Sequence, residues 1–452
     1  MKGVRPQQTG RLYSALYVQS MLVLLALGLL LFLITRNETM LLPVAFDTVY
    51  HAIRSLVSLG FFGFFLVLMA RHALLMLIAV ADHIDRYRDR TTAEPFLPLI
   101  SVIVPAYNEG KVIDASIRSL LTLDYPRYEI LVVDDGSTDD TLERARTMEG
   151  DFGAARVVVY WKPNGGKSTA LNFGIQRAAA DFVTTIDSDS VIEPQSLRKA
   201  IQHFRDEDVG AVAGSVKVVN TVNIWSRLQS LEYIKGLNLV RRAQGFLRAV
   251  SIVPGPIGTF RRSALESVGF YDHDTFAEDC DLTLKLLMDG WKICYEPDAV
   301  AQTEAPEELL ALIKQRYRWT RGILQALRKH KRKLLRPKGS FTAIFMLWYM
   351  GFEALLWPFM TGVSIAFLLI MGVDPALRSA ATYFWFQLIL LDVVTTLYCL
   401  AVDGTRLSLA LYAPVERILF QTMLEIGKIM ASLEEFVGLK MSWGKLDRKG
   451  RT

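Results

Sequence analysis

Leu99-Ile-Ser-Val-Ile-Val-Pro-Ala-Tyr-Asn-Glu109 decides the fold. Its first six residues form an apolar run with almost no polar alternation, the signature of a strand buried on both faces of a parallel sheet. The run stops at Pro105 and turns polar at Asn108-Glu109. A helical spacing follows through Ile113, Ile117, Leu120 and Leu121, and then a second strand, Glu129-Ile-Leu-Val-Val133, stops at Asp134-Asp-Gly-Ser-Thr-Asp139. After a further helix come a strand from Arg156 to Trp161, a Gly-rich turn, a helix from Ser168 to Ala180, and the strand Phe182-Val-Thr-Thr-Ile186, which runs into Asp187-Ser-Asp189. Strands alternating with helices predict an α/β domain whose parallel sheet is covered by helices. In such sheets ligands bind beyond the carboxyl ends of the strands, where every one of these polar turns falls.

The two ends of the chain read differently. Of 452 residues, 51% are hydrophobic, and the apolar excess lies outside the central domain. Ala15 to Ile34 is uncharged and long enough to cross a bilayer. It is too long for a cleaved signal, and no small-residue cleavage site follows it. Leu56 to Ala81 is a second span, interrupted by Arg71 and His72. The charged stretch Asp82 to Arg90 then returns the chain to the basic, cytoplasmic side. Two more spans fall at 346–372 and 381–402, with Glu353 and Asp392 expected to face a bundle interior. Segment 414–437 is apolar but broken by charges. It is read as interfacial or re-entrant, since a full span would place the basic tail outside. The predicted organisation is a membrane region over 1–92, a cytosolic domain over 93–305, amphipathic interface helices over 306–340 and a second membrane region over 341–452.

A net charge of +5, gathered near the apolar ends, fits anionic lipid head groups. Basic residues do not interleave with an aromatic stripe, which excludes nucleic acid as a partner. Cys280, Cys294 and Cys399 are scattered without a CxxC pair, as expected in a reducing compartment and not at a zinc site.

Several short stretches carry chemistry. Asp187-Ser-Asp189 places two carboxylates at i and i+2, able to grip a divalent cation and the diphosphate it bridges; the plainer reading is a capped strand end. Asn164-Gly-Gly-Lys167 resembles a phosphate loop, yet the first glycine of a Walker motif would fall on Trp161, so a P-loop ATPase is rejected. Thr275-Phe-Ala-Glu-Asp-Cys-Asp281 sets Glu278, Asp279 and Asp281 beside apolar residues. Such carboxylates either cap a helix N-terminus or, partly desolvated, serve as a proton acceptor. Gln315, Arg318 and Trp319 share one helical face, suited to a charged, hydroxyl-rich ligand or to snorkelling at a membrane interface.

Taken together and in order, Pro-Ala-Tyr-Asn-Glu (105–109), Asp-Asp-Gly-Ser-Thr-Asp (134–139), Asn-Gly-Gly-Lys (164–167), Asp-Ser-Asp (187–189), Gly-Pro-Ile-Gly-Thr-Phe-Arg-Arg (255–262), Glu-Asp (278–279) and Gln-Arg-Tyr-Arg-Trp (315–319) resemble the family 2 glycosyltransferases of GT-A fold. The likeness is to their processive, membrane-embedded branch of hyaluronan, chitin and cellulose synthase relatives, and most of all to poly-β-1,6-N-acetylglucosamine synthases. Ala277 departs from the Thr that the family often has before its Glu-Asp pair. The resemblance implies that Asp279 is the general base, aided by Glu278. It implies that Pro105, Tyr107, Glu109, Asp135, Lys167, Asp187, Ser188, Gln315, Arg318 and Trp319 bind a UDP-sugar, and that Gly258, Thr259 and Trp319 meet the acceptor. Asp187 and Asp189 would hold Mg2+ or Mn2+. The implied activity is polymerisation of a β-linked polysaccharide from UDP-N-acetylglucosamine at a bacterial inner membrane, with both termini cytoplasmic, the polymer passed through the membrane helices and a small accessory subunit as a possible partner. A single transfer to a polyprenyl phosphate or lipid is the alternative.

Overall fold

The structure, a computed structural model, describes residues 44–88, 94–334, 341–371 and 375–439. The expected span at 15–34 and the basic tail beyond residue 439 lie outside these. Nine strands form one sheet: β1 (Ile100–Ala106), β2 (Tyr128–Asp134), β3 (Gly150–Phe152), β4 (Ala155–Trp161), β5 (Phe182–Thr185), β6 (Val191–Ile192), β7 (Val209–Val218), β8 (Gly258–Arg261) and β9 (Lys292–Thr303). Their order is β3-β4-β2-β1-β5-β8-β7-β9-β6.

The strands read from the sequence, β4, β2, β1 and β5, pair in parallel. Beyond them the sheet becomes mixed: β8 runs antiparallel to both β5 and β7. A strand as short as Gly-Thr-Phe-Arg carries no sign of its direction, which its long-range partners set. Alternate side chains divide the buried sheet between two cores. Val102, Val104, Ile130 and Val132 pack with Ile113, Ile117 and Leu120 on one face. Ile103, Leu131 and Val133 pack with Leu171 and Ile175 on the other. Each such side chain contributes about 1.5–3 kcal/mol on burial. Pro105 sits inside a central strand without cost, since β5 pairs with β1 only as far as Ile103 and no partner needs the missing N–H on that side.

Two compact units divide the chain, Met1–Arg71 with Phe359–Leu390, and His72–Pro358 with Leu391–Thr452. Among the described residues three helices are long and apolar enough to cross a membrane: His51–Arg86, Phe341–Ser364 and Phe386–Asp403. Within the smaller unit Phe61 stacks on Phe367 at 3.9 Å. Within the larger unit charged pairs tie helices to the sheet. Arg86 bonds Asp82 and reaches Glu296 of β9 at 3.2 Å, and Arg242 meets the same Asp82 at 3.1 Å. Asp392 faces the protein, as expected, and meets Lys235 of the helix Ile224–Lys235 at 2.9 Å. Lys235 also lies 2.6 Å from Glu416, which is fully buried. Among the described residues, the region expected to hold interface helices at 306–340 contains the helix Leu309–Leu334. Segment 414–437 forms a π-helical turn, Glu416–Phe420, and the helix Gln421–Val437.

Lys235 stands between two buried carboxylates, Asp392 and Glu416, so its loss is expected to be costly. Lys235→Met should destabilise the detergent-solubilised protein by about 3–5 kcal/mol, the range for a broken buried pair. A thermal melt would check this. Adding Asp392→Asn to that variant should recover part of the loss, by removing one unpaired charge.

Candidate active site

Loops at the carboxyl ends of β1, β2 and β4 are stitched into one floor. Asp134 accepts the N–H groups of Gly136 at 3.1 Å and Ser137 at 3.0 Å, a turn closed by the side chain that ends the strand. Asn108, at a φ of 52°, accepts the Thr138 N–H at 2.8 Å and donates its own N–H to Ser137 Oγ at 3.0 Å. Gly136 has a φ of +72°, and a Cβ there would stand 2.8 Å from the Asn164 nitrogen, so the two loops meet only because a glycine is present. Asp135 is 3% exposed. Its carboxylate is taken by the Lys162 ammonium and by the N–H groups of Gly165 (3.1 Å) and Gly166 (2.7 Å), so it moors the Gly-rich loop. Around this floor Pro105 is buried, Tyr107 is 40% exposed, and Glu109 is partly exposed with its N–H given to Thr141 Oγ1 at 2.8 Å.

Beside the floor a small cleft is lined by Lys167, Leu171, Thr185, Ile186, Asp187, Gly255, Tyr271, Glu278 and Asp279. Lys167 opens the helix Lys167–Arg177, and its ammonium lies 2.7 Å from Asp187 and 2.9 Å from Glu278. Burial works against its charge, but the two carboxylates outweigh that and hold its pKa well above the usual lysine range. Asp187, just after β5, is thereby joined to Glu278 from a segment some ninety residues later. Ser188 is buried and Asp189 partly exposed in the same turn.

Glu278 and Asp279 begin the helix Glu278–Asp289. Its N-cap is Ala277, which makes no side-chain cap, and Asp279 accepts the Cys280 N–H at 2.7 Å instead. Burial, followed by the charge of Glu278, pushes the Asp279 carboxyl up to about 6; Lys167 and the Cys280 N–H pull the other way. The backbone of this turn is braced through Thr283, whose hydroxyl donates to Asp279 O at 2.7 Å and accepts the Val253 N–H at 2.9 Å.

The helix Leu309–Leu334 crosses directly behind this turn. A Cβ at Gly322 would lie 2.5 Å from the Ala277 Cβ, so glycine is required for the approach. On the same helix Gln315 is buried and Arg318 and Trp319 are partly exposed. Between them stands Arg316, which sequence reasoning passed over. Its guanidinium is 4.2 Å from the Trp319 ring centroid, donates to Gln315 at 3.2 Å and pairs with Glu232 at 2.6 Å. One face of Trp319 is therefore already occupied by protein.

Two residues expected at the acceptor are not among those that line the cleft. Gly258 and Thr259 are inner positions of β8, paired with Thr185 and Thr184, and Thr259 is 1% exposed with its hydroxyl bonded to Thr184 at 3.0 Å. Their motif reaches the cleft through Gly255 instead. Tyr271 was also missed, since a tyrosine after Gly-Phe looks like core. Its backbone is held by both ends of the Asn172 amide, at 2.8 and 3.0 Å, and it lines the cleft beside Thr185. One compact acidic triad is present among the described residues, Asp272, Asp274 and Asp281. Lys329 meets all three, at 2.6, 2.6 and 3.1 Å, Lys285 lies 3.2 Å from Asp272 and His330 2.7 Å from Asp281, so protein side chains already occupy the cluster. Asp187 and Asp189 offer the hard oxygen donors that Mg2+ or Mn2+ takes, and the cationic Lys167 already rests against one of them.

A parallel half-sheet with acidic loops at its strand ends, extended by a mixed half that supplies a carboxylate-tipped helix, defines a nucleotide-diphospho-sugar transferase fold of GT-A type. The mannosyltransferase PcManGT from Pyrobaculum calidifontis, solved with GDP-Man and Mn2+, has this fold, with a TM-score of 0.59 at 22% identity over 86% of this chain and 99% of its own. Residues 98–322 match the family described as "Glycosyltransferase like family 2", and the chain therefore carries a domain of glycosyltransferase family 2. It is similar to the poly-β-1,6-N-acetyl-D-glucosamine synthase of Staphylococcus aureus (strain COL), with 34% identity over 226 residues, 49% of this chain and 54% of the relative. The synthase of Staphylococcus epidermidis is 30% identical over 274 residues, 60% of this chain and 65% of the relative. The chain thus matches between about half and two thirds of the length of these curated relatives.

Because the Asp279 carboxyl titrates higher folded than unfolded, its charge opposes folding above the unfolded value near 4. Asp279→Asn should melt no lower than the parent at pH 7. Its advantage should shrink as pH falls through 6 and vanish below about 4, as a melting series across pH would record.

Proposed function

We propose that the chain is a processive, inverting glycosyltransferase that extends a β-linked amino-sugar polymer from a UDP-sugar, with UDP-N-acetylglucosamine the first candidate donor. The observation that carries this reading is the cleft in which Lys167, Asp187, Glu278 and Asp279 converge, within a domain whose relatives are polysaccharide synthases. The bound diphosphate draws on Lys167 at the N-terminus of its helix, where free N–H groups and an ammonium favour anions. Tyr107, Glu109 and Asp135 lie on the adjoining floor for the nucleoside. A divalent cation held by Asp187 and Asp189 would neutralise charge on the leaving diphosphate.

The proton step belongs to Asp279. A carboxyl titrating near 6 is ionised at neutral pH yet basic enough to take the proton of an attacking hydroxyl. Attack from the side opposite UDP inverts the anomeric centre, so an α-linked donor gives a β-linkage. Glu278 keeps Lys167 in place and, by like charge, keeps the Asp279 carboxyl basic. Gln315, Arg318 and Trp319 close the site toward diphosphate and acceptor. Three apolar helices fit a membrane-embedded synthase with its catalytic domain in the cytoplasm. Passage of the product between those helices completes the proposal.

UDP release by the purified protein in nanodiscs, with each UDP-sugar and Mg2+ or Mn2+, tests the reading when the labelled product is sized on a gel. A ladder of lengthening chains from UDP-N-acetylglucosamine is expected. A single lipid-linked sugar would overturn processivity, and no release with any donor would overturn the assignment. Asp279→Asn should lower kcat by about 100- to 10,000-fold, the span of general-base catalysis, while UDP binding is kept. The parent rate should fall below about pH 6 as Asp279 takes up its proton. Glu278→Gln should move that limb to lower pH, because the neighbouring negative charge is gone.

A further inference from the structure

The turn that carries Glu278 and Asp279 has an alanine at its N-cap, so beyond the Asp279 and Thr283 bonds the Phe276–Ala277 backbone depends on its neighbours. It is held from outside, by the helix Leu309–Leu334. Besides the Gly322 contact, the Phe276 N–H donates to Gln325 Oε1 at 3.2 Å. The other end of that amide, Gln325 Nε2, donates to Glu435 Oε2 at 3.2 Å. Glu435 lies on the helix Gln421–Val437 and is fixed in turn by Arg321, whose Nε is 2.9 Å from the same oxygen. Arg321 is 3% exposed and also donates to the Leu439 carbonyl at 2.5 Å and to the Tyr317 hydroxyl at 3.0 Å.

The order of these bonds matters because a glutamine amide has two unlike ends. Turned over, it would set an NH2 group against the Phe276 N–H, donor to donor. An ionised carboxylate only accepts. Glu435 therefore draws the NH2 end toward itself and leaves the oxygen facing Phe276.

We propose that Glu435 and Gln325 are positioning residues for the transfer reaction: Glu435 orients the Gln325 amide, and that amide sets the Phe276–Ala277 backbone from which Glu278 and Asp279 project. The proposal rests on the assignment of Asp279 as the base. It makes the helix Gln421–Val437, which contributes no residue to the cleft lining, part of what aligns the base.

The test uses the full chain in nanodiscs. Gln325→Glu places two carboxylates against each other, and Glu435→Gln removes the acceptor that sorts the amide. Each should lower kcat, by about 10- to 100-fold for Gln325→Glu, the loss expected from an ångström-scale misplacement. Donor KM and UDP affinity should stay within about twofold, since only the reacting geometry has changed. The double variant Gln325→Glu/Glu435→Gln restores complementarity: the carboxylate now at 325 accepts the Phe276 N–H, and the amide now at 435 donates to it. Its kcat should return to within about threefold of the parent, a coupling that independent sites would not show. Wild-type kcat in both single variants, or a double variant as slow as the product of the two singles, overturns the proposal. If Gln325→Glu no longer binds UDP and has misfolded, the kcat of Glu435→Gln alone decides. Amide hydrogen exchange over residues 276–280 separates this relay from the base assignment. It should quicken in Gln325→Leu even if Asp279→Asn proves active, and unchanged exchange would sink the relay by itself.

Discussion

One ammonium holds the cleft together. Lys167 comes from the parallel half of the sheet, Asp187 from the end of β5 and Glu278 from a helix that follows the antiparallel β8. Without a cation between them these carboxylates would repel across a partly desolvated space, and without them the half-buried lysine would lose its proton more readily. Each charge is thus the condition for the other two. The same arrangement explains how an anion would be received. A diphosphate competes with Asp187 and Glu278 for a group that is already charged and already pointed into the cleft, so little has to be created on binding.

The second constraint is mechanical. The helix Leu309–Leu334 meets the acidic segment at successive turns: Gly322 against Ala277, Gln325 on Phe276, and Lys329 with His330 on the buried Asp281. Its other flank lies along the helix Gln421–Val437, with Arg321 paired to Glu435. A rod gripped at several levels cannot shift one contact without the rest. The Gln-x-x-Arg-Trp residues ride on the same rod, so the part of the site expected to close over diphosphate and acceptor and the part expected to take the proton move as one body.

Much of this was legible in the sequence, and the boundary of what was legible is physical. Leu99 to Val104 announced β1, and the spacing of Ile113, Ile117 and Leu120 announced the helix that covers it, because burial imposes a period on neighbouring residues. Asp187, Lys167 and Asp279 stood out because their short motifs fall in order along the chain, beside the turns that end the strands. The reversal of β8 did not show, since a four-residue strand has the same pattern in either direction. Gly258 and Thr259, which the family resemblance put at the acceptor, are inner positions of this strand. Arg316, Gln325 and Glu435 also went unseen. Their partners are up to 110 residues away, and a glutamine on an amphipathic helix has no local feature to distinguish a hydrogen-bonded amide from a solvated one.

The acidic stretch Glu278-Asp279-Cys280-Asp281 posed a choice between a helix cap and a proton acceptor, and the structure makes the two compatible. Asp279 does cap, with Oδ1 on the Cys280 N–H, and a helix N-terminus by itself favours the ionised form. Enclosure and the charge of Glu278 favour the neutral form, and they prevail, leaving the carboxyl near 6. A fully solvated cap would titrate near 4 and be a feeble base at neutral pH, whereas an uncapped carboxyl in the same enclosure would be pushed higher and stay protonated. The cap bond fixes one oxygen and leaves the other to act. Opposed local effects of this kind, and not the carboxylate alone, give this position its chemistry.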